Sequence, residues 1–183
     1  KDVMKAAGIA VPEGITMHRL EVAKGHPMKP PYVIKPVCEG SSLGIFFVKE
    51  DHEHPPQELN RHDWDHGDAM LVEKFIAGRE LTCAVVGEKA MDVIEIRAAD
   101  GGWYDYHAKY AKGGSIHVLP ANLKENIYHS IQDLTLSAHR ALGCRGVSRA
   151  DFRYDDRPGG TVDLVVREGT THPGTTETSL VPE

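Results

Sequence analysis

Apolar positions along the chain recur with two different periods. Five short runs, "PYVIKP", "GIFFVKE", "AMLVEKF", "ELTCAVVG" and "AMDVIEIRA", are apolar or alternating and are bounded by Gly, Pro and charges. Those are strand signals. "VGEKAM", between the last two, reads as a hairpin turn. "GVSRADFRYD" and "TVDLVVRE" are two further strands joined by the turn "DRPGG". The other period appears in "NLKENIYHSIQDLTLSAHRALG". There Ile127, Ile131, Leu134, Ala138 and Leu142 recur at helical spacing and form one buried stripe. Asn122 is a candidate N-cap with Glu125 three residues later, and Gly143 is a natural stop. "DVMKAAG" opens the chain with a short helical pattern that Gly8 ends. Strands outnumber helices in a mixed order, which predicts an α+β fold. "LVEKF" is placed to cross between two small sheets, giving lobes over residues 1–73 and 74–183. Residues 100–121 show no sustained period and read as a long loop, a length often used for lids.

Composition narrows the function classes. The chain has 183 residues, 40% hydrophobic and 26% charged, as in an ordinary folded protein. The net charge of −6 argues against a broad nucleic-acid surface. No apolar run approaches the roughly 20 residues of a membrane span, and no leader pattern is present. Cys38, Cys83 and Cys144 are odd in number and lack CxxC spacing, which favours free thiols in a reducing cytoplasm. His62 and His66 have the spacing of a zinc pair on a helix. Pro55, Pro56, Trp64 and Gly67 interrupt any regular element there, so the stretch reads as a solvated loop.

Four stretches carry candidate chemistry. In "IKPVCEGSSLG" a strand ends at Lys35, and the turn from Glu39 to Gly44 holds Ser41 and Ser42. Backbone N–H groups, hydroxyls and a lysine there suit a phosphate, and equally make an ordinary turn. "VEKFIAGREL" places Glu73 and Lys74 at one strand end and Glu80 at the next strand start. "YHAKYAKGG" puts Lys109 and Tyr110 in the long loop, as a phosphate-covering lid or a plain surface loop. Arg149 and Asp151 alternate by two and leave one face of a strand, with Glu168 at the end of the paired strand. Two carboxylates on neighbouring strands suit Mg²⁺, and equally form a cross-strand charge cluster with Arg149 and Arg153.

Taken together, "KPVCEGSSLG", "LVEKFIAGREL", "VIEI", "YDYHAKY", "GCRGVSRADFR" and "PGTTETSLVPE" resemble, in order and spacing, the D-alanine–D-alanine ligases of the ATP-grasp superfamily. The resemblance implies two lobes gripping ATP between their sheets. Lys35, Lys74, Glu73 and the backbone at Phe75 and Ile76 would hold the nucleotide, and Glu80 the ribose. The loop 39–44, with Glu39, Ser41 and Ser42, would cover the phosphates, joined by Lys109. Tyr110 and Ser41 would close the substrate pocket. Arg149 would stabilise the transferring phosphoryl group, and Gly174 would help hold the tetrahedral intermediate. Asp151, Glu168 and the position of Thr170 would bind Mg²⁺ or Mn²⁺. Ser179 and Leu180 would hold the carboxylate of the second D-alanine. The implied reaction joins two D-alanine molecules through an acyl phosphate for peptidoglycan precursors, cell-wall growth and cell shape. A cytoplasmic homodimer is implied for the full-length protein.

Two departures modify that expectation. The family carries an N-terminal domain of roughly 100 residues and a closing C-terminal helix, a common domain scale. The chain is therefore expected to be a fragment lacking both, which either takes part in the ligation or binds nucleotide without catalysis. Another ATP-grasp carboxylate–amine ligation is the further alternative. The family's Leu-Glu-Val-Asn-Thr run is here Arg167, Glu168, Gly169, Thr170, Thr171. Thr170 is a shorter ligand than asparagine. Arg167 is expected at a core position, where a buried guanidinium without a partner costs several kcal/mol. Gly169 is expected to weaken the strand by roughly 0.5–1 kcal/mol.

Overall fold

A computed structural model of the protein describes residues 1–40, 43–98, 115–160 and 163–173. The chain divides into two compact units, Pro12–Phe75 and Lys1–Val11 with Ile76–Glu183.

The smaller unit is a four-stranded antiparallel sheet of order β1-β4-β2-β3, formed by β1 (Gly14–His18), β2 (Tyr32–Pro36), β3 (Phe46–Val48) and β4 (Ala69–Lys74). Alternation in β2 turns Tyr32 and Ile34 inward, and β4 adds Met70 and Val72. Helix α2 (Arg19–Val22) covers this face with Val22. A 3₁₀ turn at Gln57–Asn60 adds the fully buried Leu59. The stretch around His62 and His66 is thus anchored by Leu59 and by Trp64, which stacks on Phe46 at 6.0 Å. Its periodicity is hidden by polar neighbours. Strand β1 escapes a sequence reading because it is an edge strand, largely exposed on both faces.

The larger unit is a five-stranded antiparallel sheet of order β7-β6-β5-β8-β9. Its strands are β5 (Arg79–Val86), β6 (Lys89–Ala98), β7 (Ser115–Val118), β8 (Val147–Tyr154) and β9 (Leu164–Thr170). The turn between β5 and β6 falls at Gly87, with φ +63°, as expected of the hairpin. Helix α3 (Glu125–Ala141) lies on one face. Ile131 and Ala138 join Leu81, Cys83, Val93, Phe152 and Val166 in the core, with Ile127, Leu134 and Leu142 packed around them. Helix α1 (Asp2–Ala6) and Ile9 belong to this core too, through Met4 and the Val166 N–H, which donates to the Ala10 carbonyl.

Three local expectations change. Helix α3 begins at Glu125 behind Lys124, with no side-chain cap, rather than at Asn122. The sheet holds the preceding segment extended: Ala121 N–H donates to Val93, and Arg79 donates to the Asn122 carbonyl. Within 100–121, residues Ser115–Val118 form strand β7 against β6; residues 99–114 lie outside the described set. Gly169 has a packing role. A Cβ there would meet Met4 Cε at 2.8 Å and Leu142 Cδ1 at 3.2 Å, so the ends of these two side chains close directly over its bare backbone. Gly143, with φ +66°, does end α3 as read. The three cysteines are free.

Candidate functional site

The face of the larger sheet opposite α3 carries the chemistry. Partners in an antiparallel ladder point to the same side. Thr82 stands opposite Asp151, Glu80 opposite Arg153, and Ala84 opposite Arg149. Across the next seam Asp151 faces Glu168, and Arg149 faces Thr170. The ladder then slips, since Phe152 faces Val166 and Arg167 is an extra residue in β9. This bulge changes the reading of Arg167. Strict alternation cannot keep Arg167 and Glu168 on one side, but a bulge can. Arg167 therefore leaves the core and lies 3.4 Å from Glu80 and 3.7 Å from Glu168. The guanidinium expected to be buried without a partner has two acidic ones.

Asp151 is buried and held through both oxygens. Its Oδ1 accepts from Thr82 Oγ1 at 2.7 Å and from Arg149 Nε at 2.8 Å, and its Oδ2 accepts from Arg149 Nη2 at 3.0 Å. Burial would raise its pKa, but the charge and forked hydrogen bonds of Arg149 outweigh it and hold the carboxyl below its usual range. Burial opposes the charge of Arg149 too, and Asp151 restores it, leaving its pKa raised. Glu80 receives Arg153 at 3.3 Å, while Arg153 Nε donates to the Ile76 carbonyl at 2.9 Å. Burial, with Arg167 nearby, lowers the Arg153 pKa. On the opposite side of the sheet, which α3 covers, Glu95 stands opposite Leu81 and is gripped by Arg79 at 2.7 and 3.0 Å and by Arg97 at 2.7 Å. Burial opposes ionisation of Glu95, yet the two arginines keep its pKa low.

The smaller unit holds a separate charge pair on the face of its sheet opposite α2. Lys35 Nζ lies 2.6 Å from Glu73 Oε2, with the lysine one-fifth exposed and the glutamate buried. Gly14 of β1 faces Glu73, and a Cβ there would lie 3.0 Å from Glu73 Cγ and from the Val72 carbonyl oxygen. Lys74 is exposed, its N–H donating to the Glu13 carbonyl. Phe75 packs its ring on Phe47 at 4.7 Å. Glu39 is exposed beside the turn that Gly44 completes at φ +64°. The roles suggested for Ser41, Ser42, Lys109, Tyr110, Gly174, Ser179 and Leu180 fall outside the described residues.

The donor set can be tested against Mg²⁺. Among the described residues no three His, Cys, Asp or Glu side chains converge. A carboxylate offers about four acceptor positions. Asp151 uses three, which leaves one on Oδ2. Glu168, half-exposed and in register with Asp151, supplies the second carboxylate. Two hard oxygen donors with other positions left to water and phosphate fit Mg²⁺, which is rarely enclosed by protein alone. His62 and His66 gain no third described ligand.

Thr82 and the Arg79–Glu95–Arg97 group have no counterpart in the sequence reading, which places Arg153 only in a cross-strand charge cluster. Thr82 was accessible, because it stands two residues after Glu80 and shares its face. The bonds of Arg153 to Glu80 and Ile76 join positions more than 70 residues apart.

Comparison with known proteins places these residues in a lineage. Residues 3–183 match the family described as D-ala D-ala ligase C-terminus. The D-alanine--D-alanine ligase of Methylocella silvestris is 67% identical over all of this chain, which covers 60% of that protein. The VanG D-Ala:D-Ser ligase from Enterococcus faecalis superposes with a TM-score of 0.74 at 32% identity, over 99% of this chain and 53% of that one. The D-alanine--D-alanine ligase from Bacillus anthracis does so at 0.71 and 28%, over 99% and 58%. The chain thus spans about 60% of the length of the curated relatives it matches. With its two antiparallel sheets, its arginine–carboxylate face and a match running nearly end to end, the chain belongs to the D-alanine–D-alanine ligase family of ATP-grasp proteins, within that family's C-terminal region.

Proposed function

We propose that the chain carries the nucleotide- and metal-binding part of an ATP-dependent ligase that joins two D-alanine molecules. The observation that carries the reading is the in-register set Arg149, Asp151 and Glu168 on one face of β8 and β9. Phosphoryl transfer asks a protein chiefly for positioning and for charge opposite the phosphates. Arg149 is suited to that, since its fork is fixed by Asp151 before any ligand arrives. Asp151 Oδ2 and Glu168 would hold Mg²⁺ or Mn²⁺, with Thr170 on the same face. The ion would supply positive charge to the phosphate oxygens. Lys35, oriented by Glu73, would contribute a cation from the smaller unit, and Glu80 would accept from ribose hydroxyls.

In the reaction, a carboxylate oxygen of the first D-alanine attacks the γ-phosphorus of ATP and ADP leaves. The amine of the second D-alanine then attacks the acyl carbon, losing a proton as phosphate departs. The setting would be a cytoplasmic, homodimeric enzyme supplying peptidoglycan precursors. Consistent with that, no described helix is long and apolar enough to cross a membrane. A second reading, nucleotide binding without turnover, draws on Arg167 lying against Glu168, where a metal would have to compete with it.

Calorimetric titration with Mg²⁺–ATP, followed by an assay of D-alanine-dependent phosphate release, tests the proposal. Saturable binding that weakens in Asp151→Asn and Lys35→Met is expected. Absence of nucleotide binding at millimolar concentration would overturn it, and binding without phosphate release would favour the second reading.

A further inference from the structure

The acceptor count at Asp151 points to a role for a residue outside the implied site. Thr82 is buried in the middle of β5, directly opposite Asp151 in the ladder. Its hydroxyl lies 2.7 Å from Asp151 Oδ1 and 3.3 Å from the Ala150 carbonyl oxygen, so its single proton favours the carboxylate. Arg149 Nε takes the other position on Oδ1. Oδ1 is thereby saturated, while among the described residues Oδ2 accepts only from Arg149 Nη2.

We propose that Thr82 is a positioning residue that closes Asp151 Oδ1 to metal and makes Asp151 a one-oxygen ligand through Oδ2. The inference rests on the reading of Asp151 as a metal ligand. Its consequence is selectivity. Mg²⁺ demands near-octahedral coordination at short distances, whereas Ca²⁺ takes more ligands at longer ones and readily accepts both oxygens of a carboxylate. A carboxylate held to one free oxygen favours the smaller ion. Removing the hydroxyl frees a position on Oδ1 and opens the two-oxygen mode.

The test measures displacement of Mn²⁺ by Mg²⁺ and by Ca²⁺ from the full chain with ADP, using the Mn²⁺ electron paramagnetic resonance signal. Thr82→Val replaces the hydroxyl with a methyl of similar size. Its preference for Mg²⁺ over Ca²⁺ should fall by roughly tenfold, the scale of one hydrogen bond to a charged group. Thr82→Ser should restore the parent ratio. A loss of packing alone would weaken both ions together and leave the ratio unmoved. If the valine strand fails to fold by circular dichroism, Thr82→Ala gives the same comparison. A parent-like ratio in the folded hydroxyl-free variant overturns the role of Thr82. Unchanged Mn²⁺ binding in Asp151→Asn instead overturns the metal-ligand reading beneath it.

Discussion

Gly78 precedes the strand that carries Glu80, and its replacement gives a demanding test of the larger unit. Its φ is +93°, a left-handed conformation, and a Cβ would fall 2.2 Å from the Tyr154 carbonyl oxygen and 2.6 Å from Asp155 Cα. Those atoms are backbone and cannot swing aside. Gly78→Ala therefore forces β5 and β8 apart where Arg79 pairs with Tyr154 and where Arg153 holds both the Ile76 carbonyl and Glu80. The left-handed backbone alone costs about 1–2 kcal/mol for a residue with a Cβ. Overpacking adds about 1–3 kcal/mol. For a chain of this size each kcal/mol lowers Tm by roughly 2–4 °C, which predicts a loss of roughly 4–20 °C. Gly8→Ala separates the two contributions. Gly8 has φ +74° but nothing within 4 Å of a Cβ, so it should lose only the backbone share. Scanning calorimetry of the parent and both variants gives the answer. A Gly78→Ala midpoint within about 1 °C of the parent, or equal to that of Gly8→Ala, would refute the reasoning.

Two other outcomes are expected from described contacts. Arg167→Leu removes a cation 3.7 Å from the half-exposed Glu168, an interaction of about 1 kcal/mol in a water-like medium. Mn²⁺ should then bind roughly fivefold more tightly; unchanged or weaker binding counts against competition at that carboxylate. Tyr32 is buried beside His26, and desolvation pushes its hydroxyl pKa up to about 12. Between roughly pH 10 and that value the unfolded chain has released the proton and the native chain has not, so stability should fall as pH rises. Urea unfolding from pH 8 to 12 should show this decline, with less of it in Tyr32→Phe. An equally steep limb in the variant would assign it to other groups.

The sequence was most informative where burial imposed a clean period. The core strands and the α3 stripe are legible from alternation and helical spacing, because each presents one apolar face to one core. Edge strands β1 and β7 were missed, since exposure on both faces removes the signal. The start of α3 was misplaced because contacts from Val93 and Arg79, remote in sequence, outweigh the local preference of Asn122 for a cap. At the site, Arg149, Asp151 and Glu168 were legible from spacing on paired strands. The environment of Arg167 was not, because a bulge has no fixed residue signature and inverts the facing of every later residue in its strand.

That inversion makes β9 a counting device. Leu164 and Val166 point to the core, Arg167 and Glu168 to the acidic and basic face, and Gly169 back to the core. Each replacement in this run occupies a slot whose neighbours accept it: a guanidinium among carboxylates, a bare backbone beneath Met4. Exchanges of residue are thus absorbed one at a time. Loss or gain of a single residue other than the extra Arg167 would be different, since it would turn Glu168 toward the apolar interior or Leu164 and Val166 out of it. The chain is consequently more tolerant here of spelling changes than of changes in length, and the phase of β9 is what keeps its carboxylate beside Asp151.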